Sequence, residues 1–189
     1  MFIFDELRDA LVLAASERGH ATVTAVASNA HYLAKMIPFS LSEINSNEND
    51  YVPFGRYSET KLANVLFTME AQRRIEELSK DVYVNSVHPG MVATEFLRES
   101  NVKVFVGEYF GKILYQFIKD IVARFAWDSE TASLTQIYTA VSPEIREKNI
   151  KATYFHPIAR PVSKVSVLAT SENAAKLWKS TKALLESKM

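Results

Sequence analysis

The sequence has no cysteine and only five glycines in 189 residues. The first absence excludes disulfides and thiolate metal sites, and leaves the redox compartment open. The glycines stand at 19, 55, 90, 107 and 111, and no group of them forms a phosphate-cradling loop. Net charge is absent too, with 22 basic against 22 acidic side chains. No broad positive field is therefore available for tracking nucleic acid. The four histidines, at 20, 31, 88 and 156, show no zinc-ligand spacing, so no metal is expected. There is no long apolar run at the start, because Asp5, Glu6 and Asp9 interrupt MFIFDELRDALVLAASERGH. That pattern excludes a signal peptide or a membrane span there.

What is present is the balance of an ordinary globular domain, 48% apolar and 23% charged. The opening segment predicts a helix with Phe4, Leu7, Leu11 and Ala14 on one stripe and Gly19 as its stop. Residues 21–28, ATVTAVAS, suit a strand buried on both faces. Residues 29–56 read as a polar loop, and 57–80 as a helix with Leu62, Val65, Leu66 and Met69 on one stripe. Gln72, Arg73, Arg74, Glu76 and Glu77 mark its wet end. Residues 81–87 predict a second strand, broken by His88-Pro89-Gly90. Residues 101–126 are rich in aromatics and predict one or two amphipathic helices. A helix follows through Val141, capped by Asp128 or Ser129, then a strand over 152–158 and a final helix, capped at Ser171, to about Leu185. This order predicts an α/β fold, part of a doubly wound parallel sheet, with all 189 residues in one domain.

The chemistry centres on Tyr57-Ser58-Glu59-Thr60-Lys61. A tyrosine and a lysine four apart share one helix face, so their head groups can enter one cleft. An ammonium beside a phenol generally favours the phenolate, which makes an acid/base usable nearer neutrality. Lysine also has three donors for a ribose hydroxyl. On its own, Y-x-x-x-K arises often by chance on helices, and a serine that ends a strand, such as Ser28, is usually a turn former.

Context makes the pattern specific. YSETKLANVLFT resembles the active-site helix of the short-chain dehydrogenase/reductase superfamily, in its retinol-dehydrogenase-like and WW-domain-oxidoreductase-like branch, which reads Y-x-x-S-K-L-A-N. TVTAVASNAH resembles the serine strand V-N-V-S-S-x-A-H, and VYVNSVHPGMVATE resembles V-x-V-N-x-V-H-P-G-x-V-x-T-E. YFHPIARP and NAAKLW are similar to the closing strand and helix. The resemblance implies a Rossmann-like fold and an NAD- or NADP-dependent oxidoreductase interconverting an alcohol and a carbonyl. It implies that Ser28 stabilises the reacting oxygen, that Tyr57 is the general acid/base, and that Lys61 tunes it and holds the ribose. Pro89, Gly90, Val92 and Thr94 would cradle the nicotinamide.

Two departures qualify this expectation. The family's opening T-G-x-x-x-G-[IL]-G turn is not in the sequence, and neither is the asparagine that precedes the serine strand. The chain is therefore expected to represent the C-terminal portion of the fold, with weak nucleotide binding and an open sheet edge suited to self-association or to pairing with a complete relative. Residues 101–126 would form a substrate lid for a lipophilic alcohol, aldehyde or ketone; packing against the sheet and peripheral membrane contact are the alternatives. Location is expected to be cytoplasmic or peripheral to an intracellular membrane. A non-catalytic interaction module is the competing reading, and a Ser28 hydrolase fails for want of a G-x-S-x-G elbow.

Overall fold

The computed structural model describes residues 2–40, 43, 53–90 and 126–187. Its elements are α1 (Phe2–Arg18), β1 (Ala21–Val26), a 3-10 turn (Asn29–Leu33), α2 (Pro53–Glu76), β2 (Val82–Val87), α3 (Ser129–Val141), α4 (Pro143–Glu147), β3 (Tyr154–His156), β4 (Arg160–Val162) and α5 (Ser171–Glu186). The sheet order is β1-β2-β3-β4. The first three strands are parallel, with Val26 opposite Val87 and Val87 opposite Phe155, and β4 folds back antiparallel to β3. All six β2 residues are buried, as a central parallel strand covered on both faces requires.

Alternation along the strands divides the core into two layers. Val82 and Val84 face Phe4 and Ala15 of α1, Ala71 and Ile75 of α2, and Trp178 of α5. There Phe67 and Trp178 stack at 5.9 Å with Phe4 edge-on to both. On the opposite face Tyr83, Val87 and Phe155 pack against Ile145 of α4 and Tyr138 of α3. The Thr22 hydroxyl donates to the Ala140 carbonyl at 2.7 Å, and the Thr24 hydroxyl lies 3.0 Å from that of Thr139. Helices thus cover both faces of a mostly parallel sheet, as expected for a Rossmann-like fold.

Several local expectations are corrected. The Tyr57 helix begins at Pro53, a residue suited to a first helical turn, and ends at Glu76. Gln72 is not at its wet end. It is buried, its Nε2 donating to the Val82 carbonyl at 3.1 Å and its Oε1 accepting from Val84 N–H at 2.7 Å. On α1, Leu7 is exposed, and the buried positions are Phe4 and Ala15. Helix α4 and strand β4 were not expected; Ser142 caps the first, with Pro143 at its start. Thr170, not Ser171, caps α5, and of the two candidates for α3 the cap is Asp128. Val92, Thr94 and residues 101–125 lie outside the described residues.

Candidate active site

The carboxyl ends of β1, β2 and β3 lie side by side, where open α/β sheets place their ligands. Ser28 follows β1 in extended conformation and caps the 3-10 turn. Its Oγ accepts the Ala30 N–H at 3.2 Å, so the hydroxyl proton remains a donor. Its carbonyl accepts the His31 backbone N–H at 3.0 Å and lies 2.7 Å from His31 Nδ1. Since a carbonyl only accepts, Nδ1 carries the proton. The turn-forming and the chemical readings of Ser28 are therefore compatible.

Tyr57 and Lys61 are both half-buried on one face of α2. The Lys61 ammonium sits 5.5 Å from the centre of the Tyr57 ring, within cation–π range. It also donates to the Val26 carbonyl at 3.3 Å, and Asn64 Nδ2 donates to the same oxygen at 3.0 Å. Helix α2 is thereby tied to the end of β1 two residues before Ser28. The spacing of four brings the pair together as the sequence implied. Asn64, one turn beyond Lys61 and two beyond Tyr57, lies on the same helix face and was not among the expected site residues.

Pro89 and Gly90 follow β2 after His88. The His88 N–H donates to the Phe155 carbonyl at 2.8 Å, which holds this corner beside β3. Gly90 has φ +91°, a conformation that L side chains rarely adopt. A Cβ there would stand 3.2 Å from Pro157 Cγ, so the nearest close approach is to Pro157 rather than to open space.

Each parallel strand also delivers a histidine to this end: His31 after β1, His88 after β2, His156 within β3. His88 and His156 rings lie 6.0 Å apart, and Tyr154 is edge-on to His31 at 4.7 Å and to His156 at 5.5 Å. Burial pushes His88 down to about 4, with the other two imidazoles adding to the effect. Burial likewise lowers His31 and His156, the latter also beside Arg160. His31 Nε2, His88 Nδ1 and His156 Nε2 are buried without a hydrogen-bond partner among the described residues. Composition alone gave no signal for this grouping, because the three are far apart in sequence.

A cavity of about 380 Å³ lies one turn along α2 from Lys61, beside Val26, Asn64, Phe67, Leu177 and Trp178. None of Ser28, Tyr57 or Lys61 lines it. Among the described residues β1 has no neighbour on its outer side, and no helix there is long and apolar enough to cross a membrane.

No protein-family model matches the chain. Retinol dehydrogenase 14 of Homo sapiens is 34% identical over 123 residues, covering 65% of this chain and 33% of that protein. The WW domain-containing oxidoreductase of Pongo abelii is 25% identical over 193 residues, covering 100% of this chain and 42% of that protein. A crystal structure of an uncharacterized protein from Mycobacterium paratuberculosis superposes with TM-score 0.54 at 22% identity, covering 88% of this chain and 51% of that one. That likeness supports the α/β fold. The chain thus spans less than half the length of either sequence relative. The sequence matches are to oxidoreductases of the short-chain dehydrogenase/reductase kind, consistent with a partial member of that family, and the solved structure shows likeness of the α/β fold alone.

Proposed function

We propose that the chain carries the acid/base face of an NAD(P)-dependent oxidoreductase that interconverts an alcohol and a carbonyl. The observation that carries this reading is the Lys61 ammonium over the Tyr57 ring, tied to the end of β1 beside Ser28. In it, Ser28 donates its hydroxyl proton to the reacting oxygen while its Oγ is held by Ala30. Tyr57 gives or takes the proton on that oxygen. Lys61 keeps a positive charge beside the phenol and has donors left for a ribose hydroxyl. The nicotinamide nucleotide, when bound, supplies or accepts the hydride.

The described residues fit only the nicotinamide and ribose end of such a nucleotide. Lys61 supplies a ribose donor, and the Pro89-Gly90 corner lies at the same end of the sheet. No glycine-rich turn in the sequence would seat the pyrophosphate. Binding by this chain alone is accordingly weak. Val92 and Thr94 belong to the same proposed cradle. A lipophilic substrate is favoured by the aromatic density of residues 101–126 and by the retinol named for the human relative.

The reading is tested by following oxidation of reduced nicotinamide nucleotide with a long-chain aldehyde. Tyr57→Phe is expected to lower turnover by about a hundredfold or more with the fold intact; an unchanged rate sinks the assignment. Calorimetric titration with both nucleotides addresses the missing walls, and micromolar binding would contradict the expectation of weak association. The second reading, an interaction module, is favoured by the outer side of β1, which has no strand beside it among the described residues. Concentration-dependent sedimentation without any turnover supports it over the first.

A further inference from the structure

We propose that Tyr154 is a positioning residue for Ser28: from the third strand it holds, through Asn29, the turn that places the serine hydroxyl. The proposal rests on the role given to Ser28 in the proposed function.

Ser28 follows the end of β1, which among the described residues pairs with β2 alone. The turn that follows is a five-residue 3-10 segment, and such segments have little intrinsic stability. Its position must come from tertiary contacts. One of these crosses the sheet: the Tyr154 hydroxyl donates to Asn29 Oδ1 at 3.0 Å. Tyr154 is 2% exposed, and its ring packs with Ala27 before Ser28 and Val65 of α2. The same ring meets His31 edge-on, and His31 grips the Ser28 carbonyl. A single phenol therefore reaches the residue after Ser28, the residue before it, and the imidazole bound to it.

The hydroxyl has the wrong surroundings for an acid/base of its own. Its proton is engaged by Asn29, and burial, with the Tyr32 and Tyr57 phenols nearby, pushes its ionisation further from neutrality. It stays an O–H donor at every working pH, as a fixed tether needs. Tyr57 and Tyr154 thus divide the work: one exchanges the proton, the other holds its partner in place.

The test uses the full chain, isotopically labelled, with amide exchange read at Ala30 and His31, whose N–H groups bond to Ser28 Oγ and O. In Tyr154→Phe and in Asn29→Ala both amides are expected to exchange about tenfold faster, with Val84 and Ser86 of β2 unchanged. Asn29→Asp keeps an acceptor oxygen and is expected to restore the wild-type rates. Where the chain turns over aldehyde, Tyr154→Phe lowers kcat by about tenfold at constant KM. Unchanged exchange at Ala30 and His31, acceleration spread equally through β2, or an unaltered kcat each overturns the proposal. Selective acceleration in a chain with no wild-type turnover upholds the tether and removes the oxidoreductase reading instead.

Discussion

The Lys61 ammonium reaches the Val26 carbonyl at 3.3 Å and shares that oxygen with the Asn64 amide. The end of β1 therefore has two tethers from one helix face, and losing either leaves the other. Lys61→Met is expected to change unfolding free energy by no more than about 1 kcal/mol, the scale of a single net hydrogen bond. Any turnover should fall by about a hundredfold or more, since the phenol loses its charge partner. Urea unfolding and nucleotide oxidation on the same preparation check this. A variant that unfolds outright, or one that retains full turnover, contradicts it.

Gly90 is fixed by two independent constraints, its φ of +91° and the 3.2 Å that a Cβ would leave to Pro157 Cγ. Pro157 is a ring in a tight corner and cannot swing aside like a flexible side chain. Gly90→Ala is therefore expected to cost about 2 kcal/mol. The loss should appear as a lower urea midpoint at neutral pH, with an unchanged slope. An undiminished midpoint means that the corner is looser than the distances imply.

Gln72 extends the sheet's hydrogen bonding where β3 is too short to do so. β3 pairs with β2 only at Ser86 and Val87, while Val82 and Val84 present their carbonyl and N–H to the Gln72 amide. Gln72→Leu keeps the volume and deletes both partners, leaving two buried backbone groups unsatisfied. The expected loss is about 2–6 kcal/mol, from roughly 1–3 kcal/mol for each orphaned group. Gln72→Glu retains the acceptor for Val84 and loses the donor to Val82, so a smaller loss is expected at acid pH, where the carboxyl can donate. Equal stability of wild type and Gln72→Leu in urea contradicts the accounting.

This residue also shows how far the sequence can be read. The Leu62, Val65 and Leu66 stripe, the β-branched strands and the Tyr57–Lys61 spacing follow from periodicity alone, and each is present. Gln72 has the same polar character as its neighbours Arg73 and Arg74, and only the strand beneath it shows that it is buried. Tyr154, Asn29 and the three histidines meet because three strands end together, a long-range coincidence with no local signature. Asn64 was within the quoted motif, and only the Val26 carbonyl gives it a task. Short β3 and β4 were hard to separate by pattern, since each has three residues.

The histidine group makes the carboxyl end of the sheet acid-sensitive. The charges that reach these rings are one another's and that of Arg160, all of one sign. All three imidazoles are lowered from the ordinary 6.5, His88 to about 4. The unfolded chain thus binds protons that the folded one refuses, and stability falls with pH below the ordinary histidine range. The contribution is complete above about 6.5 and is lost as pH drops toward 4. Glu70 and Glu144 are held below the ordinary 4.5 by Arg73 and Lys148 respectively, so their loss begins only at lower pH. The window between pH 6.5 and 5 therefore isolates the histidines. Urea midpoints should decline steadily across it, and His88→Phe, which cannot protonate, should flatten the slope. A slope unaffected by that substitution means the imidazoles titrate as they do in water, with the ring of His88 open to solvent.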